Sequence, residues 1–267
     1  MARSLHVEIR INKLSATERE AMWQLYAPFY HYSRESFMDR IAGNTHYALY
    51  WRAGELVGFT GLRLQDMRID GRLHFLVYFG QTVVAPEVRG QGLINRTGWL
   101  LFRRYWRSIL TKKAYFWADA LSYRAYLVFA KNLREYYPSV RQAMPPEVRQ
   151  VRDYLGAQYY GDAFCAVTGT IRKPAYLIRD HRVRIEAVKL ADADIRYFAE
   201  ANPRHEEGRG LLTLAPMHLG NFLSVGWKVL RKALLCGGPV RSIRPDRSAK
   251  EERRARSSEW TPKTHPA

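Results

Sequence analysis

The stretch Gln81-Thr82-Val83-Val84-Ala85-Pro86-Glu87-Val88-Arg89-Gly90-Gln91-Gly92-Leu93-Ile94-Asn95-Arg96 decides how the chain is read. A strand-like run ends at Val83-Val84, Pro86 breaks it, two glycines follow, and helical spacing starts at once with Leu93. The first N–H groups of a helix have no partner within it, and a glycine-rich loop ahead of them adds more donors. The pattern is therefore a ready anion site. Gly90 and Gly92 carry no Cβ, which lets a pyrophosphate approach the backbone. Arg89 and Arg96 are placed to add charge-assisted contacts. A strand-to-helix turn that uses glycine for tightness alone is the competing reading of the same residues.

Outward from this stretch, strands and helices alternate. Leu5, Val7, Ile9 and Ile11 alternate with His6, Glu8 and Arg10, the period of a half-buried strand. Ser15 and Glu18 form a capping-box pattern ahead of Met22, Leu25, Tyr26 and Phe29 at helical spacing. A second short helix is expected over 33–41. Runs at 46–52, 56–64 and 73–84 are separated by Ala53-Gly54-Glu55 and Asp70-Gly71, which predicts an antiparallel meander. The helix after the glycines should reach about residue 108, followed by a strand over 114–118 and a helix over 123–136 ended near Pro138. A brief helix after Pro145-Pro146 is expected to close at Gly156, with a strand over 164–171.

The pattern changes from Pro174 onward. A strand over 183–190, a helix over 192–201, a polar loop over 202–210 and an amphipathic segment over 217–235 are expected. Beyond Gly237 large apolar residues nearly vanish, and 240–267 carries eight basic side chains against four acids. Such a segment buries too little surface to offset ordering. The expected organisation is a domain over 1–173, an extension over 174–235 packed on it, and a basic, disordered tail over 236–267.

The loop Val83-Val84-Ala85-Pro86-Glu87-Val88-Arg89-Gly90-Gln91-Gly92-Leu93 resembles the acetyl-coenzyme A loop of the GCN5-related N-acetyltransferases (GNAT). That loop reads Gln/Arg-x-x-Gly-x-Gly/Ala, and Arg89, Gly92 and Ile94 take its fixed positions. Ser122 to Lys131, with Ala125 and Phe129, resembles the family's second signature, Asn-x-x-Ala followed by Tyr one turn later. The order of elements over about 5–172 fits as well. The resemblance implies a mixed α/β (α+β) fold with a mostly antiparallel central sheet flanked by helices, here with an α/β C-terminal extension. It implies an acyltransferase moving an acetyl or other acyl group from coenzyme A to an amine by direct attack, with no metal. Val83, Val84, Arg89, Gly90, Gln91, Gly92, Leu93, Ile94, Ser122 and Phe129 would then contact the cofactor.

The sequence departs from the family where the acid–base chemistry sits. Ile94 stands where Gly or Ala is preferred. Phe129 replaces the tyrosine that protonates the leaving thiolate, and a phenyl ring donates no proton. Tyr78 lies about where family members often carry a carboxylate base. Tyr78, His74 on the same strand face, and Asp119 at the end of the next strand are the replacement candidates. Structural polar side chains are the plainer reading of all three.

The charge bears on partners. Among 267 residues, 43 Lys+Arg oppose 25 Asp+Glu, giving +18. The net charge favours acidic partners without choosing among them. An acidic acyl carrier protein delivering a longer chain, as in N-acyl amino acid or acyl-homoserine lactone synthases, is an alternative donor. Peripheral membrane contact through 217–256 is another expectation. Nucleic acid is disfavoured, because the basic tail has only Trp260 for aromatic company. A module that binds CoA, membrane or nucleic acid without chemistry is the rival from a different class. Cys165 and Cys236 lack metal spacing, and Cys165 is expected to be a buried core thiol. The N-terminus shows no signal-peptide pattern, and the longest uncharged run, 211–227, is short and polar for a membrane span. A cytoplasmic protein is the expectation. Finally, helix 93–108 carries a surplus apolar face, Trp99, Phe102 and Trp106, that needs a cover. The extension over 174–235 is the expected supplier, and a dimer interface or an acyl-binding groove is the functional alternative.

Overall fold

The computed structural model describes residues 5–173 and 184–224, all within one compact unit of the chain. Strands β1 (Leu5–Ile11), β2 (His46–Arg52), β3 (Glu55–Ile69) and β4 (Arg72–Val84) form an antiparallel meander. Its turns, Ala53-Gly54 and Asp70-Gly71, hold both central residues at positive φ, as two-residue hairpins of the right-handed twist require. β3 runs five residues past the expected Leu64, to Ile69, because its polar end pairs with the start of β4.

Helix α3 (Leu93–Thr111) crosses over to β5 (Lys113–Ala120), which lies parallel to β4. Helix α4 (Tyr123–Asn132) follows, then α5 (Pro146–Tyr160), the two-residue strands β6 (Phe164–Cys165) and β7 (Thr170–Ile171), α6 (Ala193–Ala201) and β8 (Gly210–Pro216). The eight strands form one sheet in the order β1-β2-β3-β4-β5-β8-β7-β6. Only β4 and β5 pair in parallel.

Alternation along the strands sends apolar side chains to both faces, so both are covered. On one face, Leu93, Leu101 and Ile109 of α3 pack against Ala48, Tyr50, Leu62, Phe75 and Val77. Beside them α4 and α6 cover Ala118, Ala120, Leu211 and Ala215. On the other face, α1 (Ala16–Tyr26) and α2 (Arg34–Ala42) cover Tyr47, Leu49, Phe59 and Val83. There α5 packs on Leu76, Tyr115, Trp117, Leu212 and Leu214.

Several expectations are corrected. α4 stops at Asn132, four residues before Tyr136. Leu133 turns extended, and the side chain of Asn221 takes the N–H groups of Arg134 and Glu135 that a longer helix would have used. α5 continues through Gly156 to Tyr160, since the ring of Phe164 lies where a Cβ at 156 would stand. The glycine there serves packing and ends nothing. Residues 164–171 form a tight hairpin in place of one strand, turning at Gly169 with φ 72°. Cys165 is half-buried and not a core thiol, and a hydrogen bond with the Thr168 side chain holds it below the usual thiol range. The described part of 183–190 has no strand, and Ala187–Ala191 is a 3-10 turn.

The largest difference concerns 174–235. It supplies β8, which is inserted between β5 and β7. That segment therefore completes the central sheet and does more than pack on it. Residues 219–224 are helical, and the remainder of the amphipathic segment and the tail over 236–267 lie outside the described residues.

Candidate functional site

The site begins where the two parallel strands part. β4 and β5 pair from His74↔Lys113 to Tyr78↔Trp117. Beyond that, β4 continues along β3 to Val84 while β5 continues along β8 to Ala120, and no described residues pair across the gap. A β-bulge accompanies the parting. The register slips between Phe59 and Gly61, so Gln81 and Thr82 together oppose Thr60. Gln81 takes φ 28°, unusual for a residue with a side chain. Its amide oxygen accepts from Asn44 Nδ2 at 2.9 Å, and Gly61 leaves room for both side chains. In open α/β sheets, ligands bind at the carboxyl ends of strands where neighbours diverge.

The glycine loop stands at that end. Pro86–Val88 make one 3-10 turn, after which Gly90 and Gly92 both adopt φ 75°. Beyond the adjoining residues, no atom lies within 4 Å of the place a Cβ would occupy on either. Gly92 is the N-cap of α3 and supplies no side-chain cap, and neither the first turn nor the rest of α3 carries an acid. The arrangement suits a pyrophosphate. Both arginines beside the loop make one bond to the backbone. Arg89 donates through Nε to the Val84 carbonyl at 2.8 Å and lies over the Phe29 ring, while Arg96 donates to the Leu5 carbonyl. Each guanidinium has five N–H donors, so these bonds do not exhaust either.

Among the other expected cofactor residues, Val83 and Leu93 are buried, Val84 and Ile94 half-buried, and Gln91 exposed. Gln91 reaches back weakly to the Glu87 carbonyl. Ser122 caps α4 through the Ala125 N–H. Phe129 is enclosed in the apolar cluster of α4, α6 and β8.

Of the three acid–base candidates, two meet. The Tyr78 hydroxyl donates to Asp119 Oδ1 at 2.8 Å, joining the last paired residue of β4 to the parted end of β5. His74 lies four residues back on β4, about 13 Å along the strand. There Nδ1 meets the Arg72 carbonyl, the ring stacks on Tyr115, and burial holds the imidazole below its usual range.

Sequence reasoning missed the residues that surround Asp119. Tyr160 donates to Oδ2 at 3.0 Å, Arg40 stands 3.6 Å from it, and Lys173 is in direct contact. Arg63 lies over the rings of Tyr78 and Tyr159, and Lys173 lies over Tyr160. Thus α2, β4, α5 and the segment after β7 all send polar side chains to the one buried carboxylate of β5, and Arg63 of β3 stands over the Tyr78 ring. Burial pushes the Lys173 ammonium well below the usual lysine range, and the nearby charges of Arg40 and Arg63 push the same way. Burial also raises the Tyr160 phenol. One signal was available in the sequence: Arg63 interrupts an otherwise apolar strand run. No motif or spacing in the sequence links Arg40 or Lys173 to Asp119. Among the described residues, no group of three His, Cys, Asp or Glu side chains is arranged to hold a metal.

No protein-family model and no curated protein matches the chain. Solved structures do. An acyl-CoA N-acyltransferase from Pseudomonas aeruginosa is 23% identical at TM-score 0.32, covering 43% of this chain and 80% of that one. A ribosomal-protein-alanine N-acetyltransferase from Brucella melitensis is 13% identical at TM-score 0.37, covering 48% and 90%. An N-acetylglutamate synthase from Neisseria gonorrhoeae, solved with coenzyme A and N-acetyl-glutamate, is 14% identical at TM-score 0.36, covering 56% of this chain and 32% of that one. The architecture is the mixed, mostly antiparallel sheet flanked by helices that the GNAT resemblance implies.

Proposed function

We propose that the protein is an acyltransferase that moves an acyl group from coenzyme A to an amine. The observation that carries this reading is the junction of two features. The glycine pair at φ 75° ahead of α3 stands at the end of β4, where β4 parts from β5. The loop would hold the pyrophosphate, and the gap between the strands would admit the pantetheine arm and its thioester. The amine attacks the thioester carbonyl, the C–S bond breaks, and CoA leaves as the thiolate. Holding both reactants at the gap supplies much of the acceleration. Backbone N–H groups of the bulged strand are the donors at hand for the developing oxyanion.

In this reading the Tyr78 hydroxyl, held by Asp119, relays the proton: its oxygen accepts the proton that leaves the amine while its own proton passes to the CoA thiolate. Both oxygens of Asp119 already accept hydrogen bonds, so it orients the Tyr78 hydroxyl more than it serves as a free base. Tyr78→Phe keeps the ring packed on Trp117, at 4.4 Å, while removing the hydroxyl. It should lower kcat by roughly 10²–10⁴ with little change in the KM for acyl-CoA.

The test of the cofactor site compares two substitutions at one position. Gly92→Asp and Gly92→Asn impose similar left-handed strain, which both residue types tolerate better than most. Only Asp adds charge beside the phosphates. Calorimetry should show CoA binding lost in Gly92→Asp and largely kept in Gly92→Asn. Equal affinity in the two folded variants would remove the pyrophosphate from this loop. Tight CoA binding without turnover on any of a broad panel of amines would make the protein a binding module.

A further inference from the structure

Helix α3 has a face that the core does not use. Leu93, Thr97, Leu101 and Ile109 bury it against the sheet, yet Trp99, Trp106 and Leu110 stand 58%, 47% and 68% exposed. Large aromatic side chains are seldom left so open without a use. The face is continuous with a second element. Phe102 stacks on Trp99 and packs on Phe222 at 4.2 Å, and Leu219 and Leu223 beside Phe222 are 68% and 63% exposed. Phe102 and Phe222 are half-buried, and the other five side chains are exposed.

The charge on α3 itself has one sign, and the nearest acids, Asp66 and Glu135, are paired with Lys112 and His218. Arg103, Arg104 and Arg107 all lie exposed on α3, which contains no acid, and exposed Lys113 follows it. The Arg107 guanidinium lies over the Trp106 ring at 5.4 Å. Arg103 and Arg104 also line a shallow groove with Leu100 of the same helix and Val7 and Ile9 of β1. Tryptophans flanked by arginines on a surface helix are the composition that settles at the headgroup level of a bilayer: indoles take the boundary and guanidiniums meet the phosphates. A protein partner would have to supply acids at every one of these positions, whereas an anionic leaflet presents them everywhere.

We propose that the outer face of α3, with Leu219 and Leu223, docks the protein on anionic membrane surfaces. The helix lies in the plane of the interface and does not span the bilayer, since no helix among the described residues is long and apolar enough to cross a membrane. Trp99, Trp106 and Leu110 provide apolar insertion, and the arginines provide the attraction that salt screens. The site is separate from the glycine loop and from Asp119, so the inference stands whatever the catalytic chemistry is.

Co-sedimentation of the full chain with vesicles tests it. Vesicles of phosphatidylcholine with one third phosphatidylglycerol should bind the protein, and pure phosphatidylcholine should not. The double variant Trp99→Ala/Trp106→Ala should lower the partition coefficient by roughly tenfold or more, and Arg103→Glu/Arg107→Glu should do the same most strongly at low salt. All four side chains are exposed, so circular dichroism should be unchanged. Binding that is equal in wild type and both variants would overturn the proposal and assign membrane attraction elsewhere in the chain. Absence of binding to the anionic vesicles would overturn it too. So would a sedimentation result in which the wild type is a dimer and the tryptophan variant a monomer, which would assign the face to a second copy.

Discussion

Asn221 commits both ends of its amide to backbone. Its oxygen accepts from the N–H groups of Arg134 and Glu135, and its nitrogen donates to the carbonyls of Glu135 and Pro216. The residue is 4% exposed, so each of these groups would be left dry without it. Asn221→Ala should cost about 2–3 kcal/mol in urea denaturation, since orphaned buried groups retain their desolvation penalty. Asn221→Asp should cost comparably, because a carboxylate cannot donate to the two carbonyls. Nothing in the sequence flagged Asn221, which sat as one polar residue in an amphipathic segment. By contrast Ser15 and Glu18 were legible as a capping box, because that motif is closed within four residues, and both of its hydrogen bonds are present. What sequence reading finds at this scale is local. Asp119 was nominated for its place at a strand end, but Arg40, Tyr160 and Lys173 reach it from distant segments and no spacing links them.

At the scale of elements, α6 is tied to α4 through a second buried acid. Asp194, 4% exposed in its side chain, accepts from Tyr136 at 2.7 Å and pairs with Lys131 and Arg141. Burial alone would raise its pKa, but the hydrogen bonds from Tyr136 and Lys131 and the charge of Arg141 outweigh burial and lower it. A carboxyl lowered in the folded state stabilises fully above its unfolded pKa, near 3.9, and that contribution is lost as pH falls through the folded value. Asp194→Asn should therefore be less stable than wild type by about 1.5–3 kcal/mol at pH 7. The gap should hold down to about pH 5 and close as the pH falls below about 3.9, as read from chemical denaturation at a series of pH values. A gap that widened toward acid would contradict the lowered pKa. Element boundaries show the same division of information. The hairpin turns Ala53-Gly54 and Asp70-Gly71 were readable because positive φ selects residues directly. The ends of α4 and α5 were not, because Asn221 and Phe164, both remote in the chain or across a turn, decide them.

For the molecule as a whole, the decisive element is β8. Its run Leu211-Leu212-Thr213-Leu214-Ala215 is buried on both faces, so the period-two signal that betrays a half-exposed strand is missing. It pairs with β5 over six residues and with β7 over two, and Leu214 exchanges two backbone hydrogen bonds of 2.7 Å with Tyr137. A chain ending at residue 173 would therefore lose an interior strand. The edge of β5 would be open beside the proposed site, and the clusters around Trp117 and Tyr126 would lose Leu211, Leu212 and Leu214. Burial of a leucine side chain is worth about 1.5–3 kcal/mol, so three of them rival a typical domain's net stability of about 5–15 kcal/mol. A 1–173 fragment should bind a hydrophobic dye and show no cooperative unfolding. Because truncation is blunt, Leu214→Ala in the full chain provides the finer measurement. Leu214 is fully buried, and its loss should cost about 2–5 kcal/mol with the transition still cooperative. A soluble 1–173 fragment with a sharp transition would show that the sheet closes without β8. The parted ends of β4 and β5 would then owe nothing to the strand that now holds β5 from its other side.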